Sequence, residues 1–240
     1  MVELRRSMGG RGKKASPPFL SHEFIIQNHG DIMSCILMVV VVGLLFQGTS
    51  AFASIFIVPQ YNDTFPLTAD SEPQLYYRTG IKDVATIVFY AVGWITVHAI
   101  LQEYVLDKLQ RKLHLSKTKM SKFAESGQLF VFALYSVLHS GKLFIKFYKQ
   151  TRLSRCAGIA SYIMHDLRMH IDLTKLWIGY PEIHRHMTLH LKLFFIFQIA
   201  YWLHQFPEFY FQKTRKDEMQ PRTLYSLIFL FFTVVAYALK

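Results

Sequence analysis

A charge-free stretch near the N-terminus limits the fold more than any other feature of the sequence. From Ile32 to Val58 no side chain carries a charge, and this run is longer than the about 20 apolar residues that a helix needs to cross a bilayer. Four more apolar segments follow, at residues 84–102, 126–145, 189–206 and 223–239. Because hydrocarbon offers backbone groups no partners, such segments span as helices. The sequence therefore predicts an all-α membrane protein, folded as a multi-span helical bundle.

The composition agrees with a membrane protein and argues against a nucleic-acid-binding one. Of the 240 residues, 52% are hydrophobic and only 18% are charged, which is unusual for a soluble domain. The net charge of +11 comes from basic residues that flank the apolar segments, and no zinc-ligand spacing or basic motif with interleaved aromatics occurs. We therefore predict no nucleic-acid partner. The two cysteines, Cys35 and Cys156, are too few for a disulfide framework.

Basic residues are distributed unevenly among the loops, which indicates the orientation. Those before the first apolar segment are Arg5, Arg6, Arg11, Lys13 and Lys14, whereas residues 59–80 carry one arginine against three acidic side chains. The loops after the second and fourth segments are also basic. By the positive-inside rule the N-terminus is cytosolic. The acceptor sequence Asn62-Asp63-Thr64 then lies in a lumenal loop, which predicts glycosylation of Asn62 and entry into the secretory pathway.

The first apolar segment has a second interpretation as a signal peptide. It follows a basic N-terminal region and contains Ala51-Phe52-Ala53, which is typical of a cleavage site. The charge-free run continues beyond this site and is long enough to be an anchor. Both interpretations place Asn62 on the lumenal side.

The apolar segments and loops divide the chain into regions. We predict a cytosolic tail over 1–30, a first transmembrane helix over 31–58, a lumenal loop over 59–80 and a second transmembrane helix over 81–104. The third, fourth and fifth spans are predicted over 126–145, 187–211 and 223–239.

The segment between the third and fourth spans, 146–186, breaks the positive-inside trend because it is basic on the lumenal side. Residues 157–178 carry Asp166, Arg168, Asp172 and Lys175, each of which costs about 2.5 to 3.5 kcal/mol at the centre of a bilayer. A further crossing is therefore excluded. Apolar residues recur every four positions from Ile159 to Ile171, which favours a helix lying in the headgroup plane; a disordered insertion is the alternative.

Polar side chains within the fourth span are the candidate functional residues. Gln198, His204 and Glu208 lie in an otherwise apolar segment, and such groups normally face the interior of a bundle. We predict that they form an intramembrane polar groove. His204 and Glu208 are four residues apart and can bond, whereas Pro207 is expected to kink or end the helix. A structural pair at a helix end, without a binding role, is the alternative.

The sequence offers no catalytic or metal site. His186 and His190 share a helix face, but di-iron hydroxylases need several histidine clusters of this kind, and His98 and His139 stand alone in the sequence. No nucleophile elbow, P-loop or dinucleotide fingerprint occurs. We predict no catalytic residue, metal or cofactor.

Several sequence blocks resemble one family of membrane proteins. They are residues 21–24 (SHEF), 27–32 (QNHGDI), 102–108 (QEYVLDK), 121–129 (SKFAESGQL) and 198–213 (QIAYWLHQFPEFYFQK). In these blocks the chain resembles the translocating chain-associated membrane proteins, the TRAM family, over most of its length except residues 142–170.

The resemblance implies a TLC fold, here a partial TLC domain over 117–240. It also implies a non-enzymatic accessory in the endoplasmic reticulum membrane that assists insertion or translocation of secretory and membrane proteins. The implied partners are the protein-conducting channel, the signal sequences and transmembrane segments of nascent chains, and membrane lipids.

Two alternatives remain beside this function. Ceramide synthases share the TLC fold and carry a histidine pair shortly after an Arg-Lys-Asp stretch. This chain has Arg215-Lys216-Asp217 but Leu224-Tyr225 near where that pair would fall, which argues against a lipid-handling enzyme. The basic insertion is atypical of the family, and the sequence ends just after the fifth span. A truncated, non-functional isoform is therefore the other alternative.

Overall fold

The computed structural model describes residues 18, 21–65, 74–114, 116–151, 186–212 and 216–239. Within these ranges the chain forms eight α-helices and one two-stranded β-hairpin. Most of the predicted tail, the predicted 157–178 helix and most of the 146–186 insertion lie outside the described residues. The elements are α1 (His22–Gln27), α2 (His29–Gly43), α3 (Gln47–Ile57), β1 (Asn62–Phe65), β2 (Gln74–Tyr77), α4 (Asp83–Leu101), α5 (Asp107–Leu113), α6 (Lys117–Thr151), α7 (Leu189–Phe211) and α8 (Lys216–Leu239).

The first apolar segment is divided into two helices, whereas the sequence predicts one helix over 31–58. A methyl group at Gly43 would lie 3.4 Å from Cβ of Ala53, although ten residues of straight helix would separate these positions by about 15 Å. The Thr49 hydroxyl donates to the carbonyl of Gly43 at 2.7 Å and thereby holds the sharp bend. The 15 residues of α2 and the 11 of α3 measure about 22 and 16 Å, so each is shorter than the about 30 Å hydrocarbon core.

Two of the described helical segments are long and apolar enough to cross a bilayer, namely Asp83–Leu113 and Asp217–Leu239. The first contains α4, a π-helical turn at Gln102–Leu106, and α5. In the second, α8 begins at Lys216 rather than near 223, so its 24 residues extend about 36 Å. The number of five spans remains a prediction.

The long helices alternate in direction between two ends of the bundle. At the hairpin end, β1 pairs antiparallel with β2, and Tyr77 of β2 exchanges backbone hydrogen bonds with Met187 just before α7. Thr86 and Tyr90 of α4 donate their hydroxyls to the carbonyls of Ile55 and Ile57, which fixes the end of α3 there. The ends of α5 and α7 and the starts of α6 and α8 lie at the opposite end, where Gln110 donates to the carbonyl of Met120 and Arg222 pairs with Glu125.

An aromatic core fixes the relative positions of α4, α6 and α7. The buried rings of Trp94, Phe132, Tyr201 and Trp202 pack together, and the rings of Phe132 and Tyr201 stack in parallel. Aromatic residues of this size bury much of the apolar surface of a core. Helix α7 continues through Pro207 to Phe211, so Glu208 remains on a helical surface instead of following a helix end.

Candidate functional site

His204, at the centre of the predicted groove, forms a hydrogen-bonded pair with His98 of α4. Both side chains are buried, with 0 and 2% exposure, and His204 Nε2 lies 3.1 Å from His98 Nδ1. His204 Nδ1 contacts the carbonyl oxygen of Tyr201, which can only accept, so this nitrogen carries a proton. In a neutral pair, His204 Nε2 therefore accepts from His98 Nδ1–H. This assignment leaves His98 Nε2 as a bare acceptor, and the described residues provide no partner for it.

Glu208 lies one turn further along α7 and is only half satisfied. Its side chain is 4% exposed, and Oε1 accepts a hydrogen bond from Gln212 Nε2 at 2.7 Å. The same oxygen is 4.0 Å from His98 Nδ1, which is too long for a hydrogen bond. The second oxygen, Oε2, is buried and has no hydrogen-bond partner among the described residues. A buried oxygen of this kind is costly unless a donor reaches it.

Two cavities meet at Glu208. A cavity of about 270 Å³ lies among α6, α7 and α8, and a larger one of about 500 Å³ lies among α2, α4, the π-helical turn, α6 and α7. Gln128, Glu208 and Gln212 line both cavities, so these side chains form the wall between them. The larger cavity lies at the end of the bundle opposite the hairpin. Its lining includes Asp31, Glu103 and Asp107, which flank the apolar segments.

Gln198, the third predicted groove residue, lies nearer the hairpin end and has a separate partner. Its side-chain amide donates to the hydroxyl of Ser136 on α6 at 2.7 Å. On the same pair of helices, Tyr135 contacts His139, whose other ring nitrogen lies 3.2 Å from the carbonyl of His190. Polar contacts therefore occur at the hairpin end of the contact between α6 and α7, which we call the polar seam, and further along the two helices meet through the aromatic core. His204 is bonded to His98, Glu208 lies close to that pair without a hydrogen bond to it, and Gln198 is not part of this cluster.

Asn62 lies on β1 of the hairpin with an exposed side chain. Its backbone position pairs with Tyr77, and the neighbouring Asp63 forms an ion pair with Arg78 at 2.6 Å. The acceptor sequence is therefore presented at the surface of the hairpin end.

A buried ion pair at the hairpin end has no counterpart in the sequence interpretation. Lys192 of α7 is 0% exposed, and its ammonium lies 2.8 Å from Asp83 Oδ1. It also donates to the carbonyls of Gln60 and Arg78 at 2.8 and 2.7 Å. The Tyr237 hydroxyl of α8 donates to the other oxygen of Asp83 at 2.8 Å. This cluster joins the hairpin loop to α4, α7 and α8.

Sequence reasoning missed His98 and Asp83 because each partner is far away in the chain. His98 and His204 are 106 residues apart, and Asp83 and Tyr237 are 154 apart. The available signal was the presence of ionisable groups at the ends or inside of apolar segments, since these groups need polar partners in a membrane.

Comparisons with known proteins agree with the helical membrane architecture. Residues 122–240 match the family model described as the TLC domain. The chain is 41% identical over 233 residues to translocating chain-associated membrane protein 2 of Mus musculus and of Homo sapiens. The match includes 97% of this chain and 56% of each relative, so the chain spans little more than half their length. A sphingosine N-acyltransferase-like protein of Alternaria alternata is 31% identical over 147 residues, which are 61% of this chain and 29% of that protein.

Proposed function

Because this chain belongs to the TLC-domain superfamily and, within it, to the translocating chain-associated membrane proteins, we propose that it is a non-enzymatic accessory of the protein-conducting channel in the endoplasmic reticulum membrane. Its role is to assist insertion or translocation of nascent secretory and membrane proteins. The observation that carries this proposal is the 41% identity, over 97% of the chain, to translocating chain-associated membrane protein 2 of Mus musculus and of Homo sapiens.

The proposed mechanism uses the polar seam and the cavities beside Glu208. A transmembrane segment of moderate hydrophobicity carries polar groups that are costly to expose to lipid. Side chains such as Gln128 and Gln212 offer both hydrogen-bond donors and acceptors at the wall of the two cavities. We propose that a nascent segment lies against this wall as it leaves the channel. Gln198 keeps the contact between α6 and α7 polar, and His204 does the same for the contact between α4 and α7.

Photocrosslinking to a stalled nascent chain tests this mechanism. A crosslinking amino acid at Leu129 or Gln205, which line the smaller cavity, is expected to capture the nascent chain. The same amino acid at Phe232, an exposed position of α8 outside this cavity, is the matched control and is expected to give much weaker products. Equal yields at all three positions would remove the groove mechanism. Co-purification of the chain with the protein-conducting channel tests the accessory role separately.

A second candidate function is lipid-handling acyl transfer, favoured by the buried His98–His204 pair and by the sphingosine N-acyltransferase-like relative. Amide formation from an amine needs a base that accepts the proton of the attacking nitrogen, and a bare imidazole nitrogen can do so. Incubation of the purified chain with a sphingoid base and an acyl-coenzyme A tests this candidate. Product that disappears in both His98→Ala and His204→Ala would establish it, and absence of product in the unaltered chain rejects it.

A further inference from the structure

The larger cavity beside Glu208 has an acidic lining. The carboxylates of Asp31, Glu103, Asp107 and Glu208 line it together with the imidazoles of His29 and His98, and among the described residues no lysine or arginine does. This contrasts with the net charge of +11 of the whole chain. Asp107 is engaged by Gln102, whose amide donates to it at 2.5 Å, whereas Oε2 of Glu208 has no hydrogen-bond partner among the described residues.

The position of the cavity limits what can occupy it. Its lining residues lie where α2 and α4 pass from apolar to charged sequence, which is the depth of lipid headgroups. At its mouth are Ile100 and Tyr104, two exposed side chains that suit contact with an acyl chain and with the membrane interface. The ammonium of Lys108 lies 5.7 Å from the centre of the Tyr104 ring, just outside the lining.

We propose that this cavity binds the zwitterionic headgroup of phosphatidylethanolamine, with its primary ammonium on Glu208 and its phosphate towards Lys108. The ammonium has three donors and supplies the hydrogen bond that Glu208 Oε2 lacks. The volume of about 500 Å³ falls within the range of about 300 to 1,000 Å³ that small-molecule sites occupy. No group of three or more histidine, cysteine, aspartate or glutamate side chains able to hold a metal ion occurs in the described part of the chain, so a metal ion is a poorer occupant.

A lipid is a better occupant of this cavity than a basic side chain of another protein. Ile100 belongs to the apolar segment 84–102, on the hydrocarbon side of the headgroups, and a lysine or arginine entering past it would bring backbone amides and carbonyls there without partners. A lipid instead places its acyl chain there. The proposal is independent of the translocation role, because binding is measured without ribosomes or nascent chains.

The deciding experiment varies the number of N–H donors on the lipid at constant headgroup charge. The purified full chain is delipidated and titrated, by native mass spectrometry, with phosphatidylethanolamine, its N-methyl and N,N-dimethyl forms, and phosphatidylcholine, all with the same acyl chains. We expect retention to fall stepwise along this series. A hydrogen bond to a charged group corresponds to about 10- to 100-fold in a binding constant, which sets the expected difference between the two ends of the series. Equal retention of all four lipids overturns the proposal, and this series needs no variant that could fail to fold.

Variants then locate the site. Glu208→Gln is expected to abolish the preference for phosphatidylethanolamine, whereas Glu23→Gln, an exposed carboxylate outside the cavity lining, is expected to retain it. Two further probes distinguish the source of the ammonium. A single-chain amine or a lysine-rich peptide that binds in a Glu208-dependent way, while phosphatidylethanolamine does not, would reject the lipid and assign the cavity to that other ligand class.

Discussion

At the scale of single residues, the most constrained side chain of this protein is Lys192. Its ammonium donates to two backbone carbonyls and forms an ion pair with Asp83 at 2.8 Å. A buried ion pair is worth little relative to apolar residues of the same volume, but removal of one partner leaves an uncompensated charge. Lys192 therefore contributes to stability mainly by keeping the buried carboxylate of Asp83 paired.

We expect Lys192→Met to destabilise the protein by about 3 to 5 kcal/mol, because Asp83 then lies buried beside apolar atoms. Thermal unfolding in detergent, followed by tryptophan fluorescence, measures the change. The double variant Lys192→Met with Asp83→Asn is expected to recover a large part of the loss. Lys82→Met, an exposed neighbour of the pair, serves as the control and is expected to change the stability little. A loss that is the same with and without Asp83→Asn would contradict the role given to the ion pair.

Sequence reasoning found the polar residues of α7 and missed their partners, for a physical reason. An ionisable side chain such as Glu208 inside an apolar segment must face other protein, and this rule needs no knowledge of the fold. Which group it faces depends on how the helices pack, so the pairing of His204 with His98 beside Glu208 could not be deduced. For the same reason the burial of Lys192 on Asp83 could not be deduced, since it depends on the packing of α4 against α7.

At the scale of elements, the main difference between sequence and structure is the bend after α2. Absence of charge over 32–58 indicates insertion into an apolar environment, but it does not report helix continuity. The bend depends on Gly43 and Thr49, where a side-chain hydroxyl replaces the helical hydrogen-bond pattern. Helix α2 also approaches α4 closely at Gly30, since a methyl group there would be 2.6 Å from Cβ of Ala99.

The contact between α2 and α4 gives a matched pair of glycine variants. Gly30→Ala is expected to destabilise the protein by about 1 to 3 kcal/mol, because the added methyl group overpacks against Ala99. Gly48→Ala, in the same position of α3, meets nothing within 4 Å and is expected to be neutral or to stabilise by about 0.4 to 1 kcal/mol. Unfolding midpoints measure both. Ala99→Gly is expected to rescue Gly30→Ala; without rescue, the close approach at this point would not be the cause.

The β-hairpin provides a second prediction at this scale, for glycosylation. We expect the chain made in the presence of microsomes to carry one glycan at Asn62, because this side chain is exposed on β1. Asn62→Gln and Thr64→Ala are each expected to remove the mobility shift that endoglycosidase treatment reverses. Asp63→Asn keeps the acceptor sequence and removes only the surface ion pair with Arg78, so the shift is expected to remain. A shift that persists in Asn62→Gln would place the glycan elsewhere.

At the scale of the whole molecule, the two ends of the bundle differ in the sequence that forms them. The hairpin end joins the loop with the acceptor sequence to Met187 at the start of α7 through paired backbone hydrogen bonds. The opposite end contains the turn between α5 and α6, where Gln110 donates to the carbonyl of Met120, and it is bordered by lysine- and arginine-rich sequence. The helix ends are packed together at these two ends of the bundle. The positive-inside rule, which counts basic residues loop by loop, therefore has to assign only two surfaces to the two sides of the membrane.

This grouping predicts that Thr188 and His114 lie on different sides of the membrane. In a background with Cys35→Ser and Cys156→Ser, His114→Cys is expected to react with a membrane-impermeant maleimide in intact microsomes, because its end of the bundle is bordered by basic, cytosolic-type sequence. Thr188→Cys lies beside Met187 at the hairpin end, so it is expected to react only after detergent opens the vesicles. Both positions are exposed, so a difference in labelling reports sidedness and not burial. Labelling of Thr188→Cys in sealed vesicles would mean that α7 starts on the cytosolic side, and the predicted crossing by the third span would then be wrong.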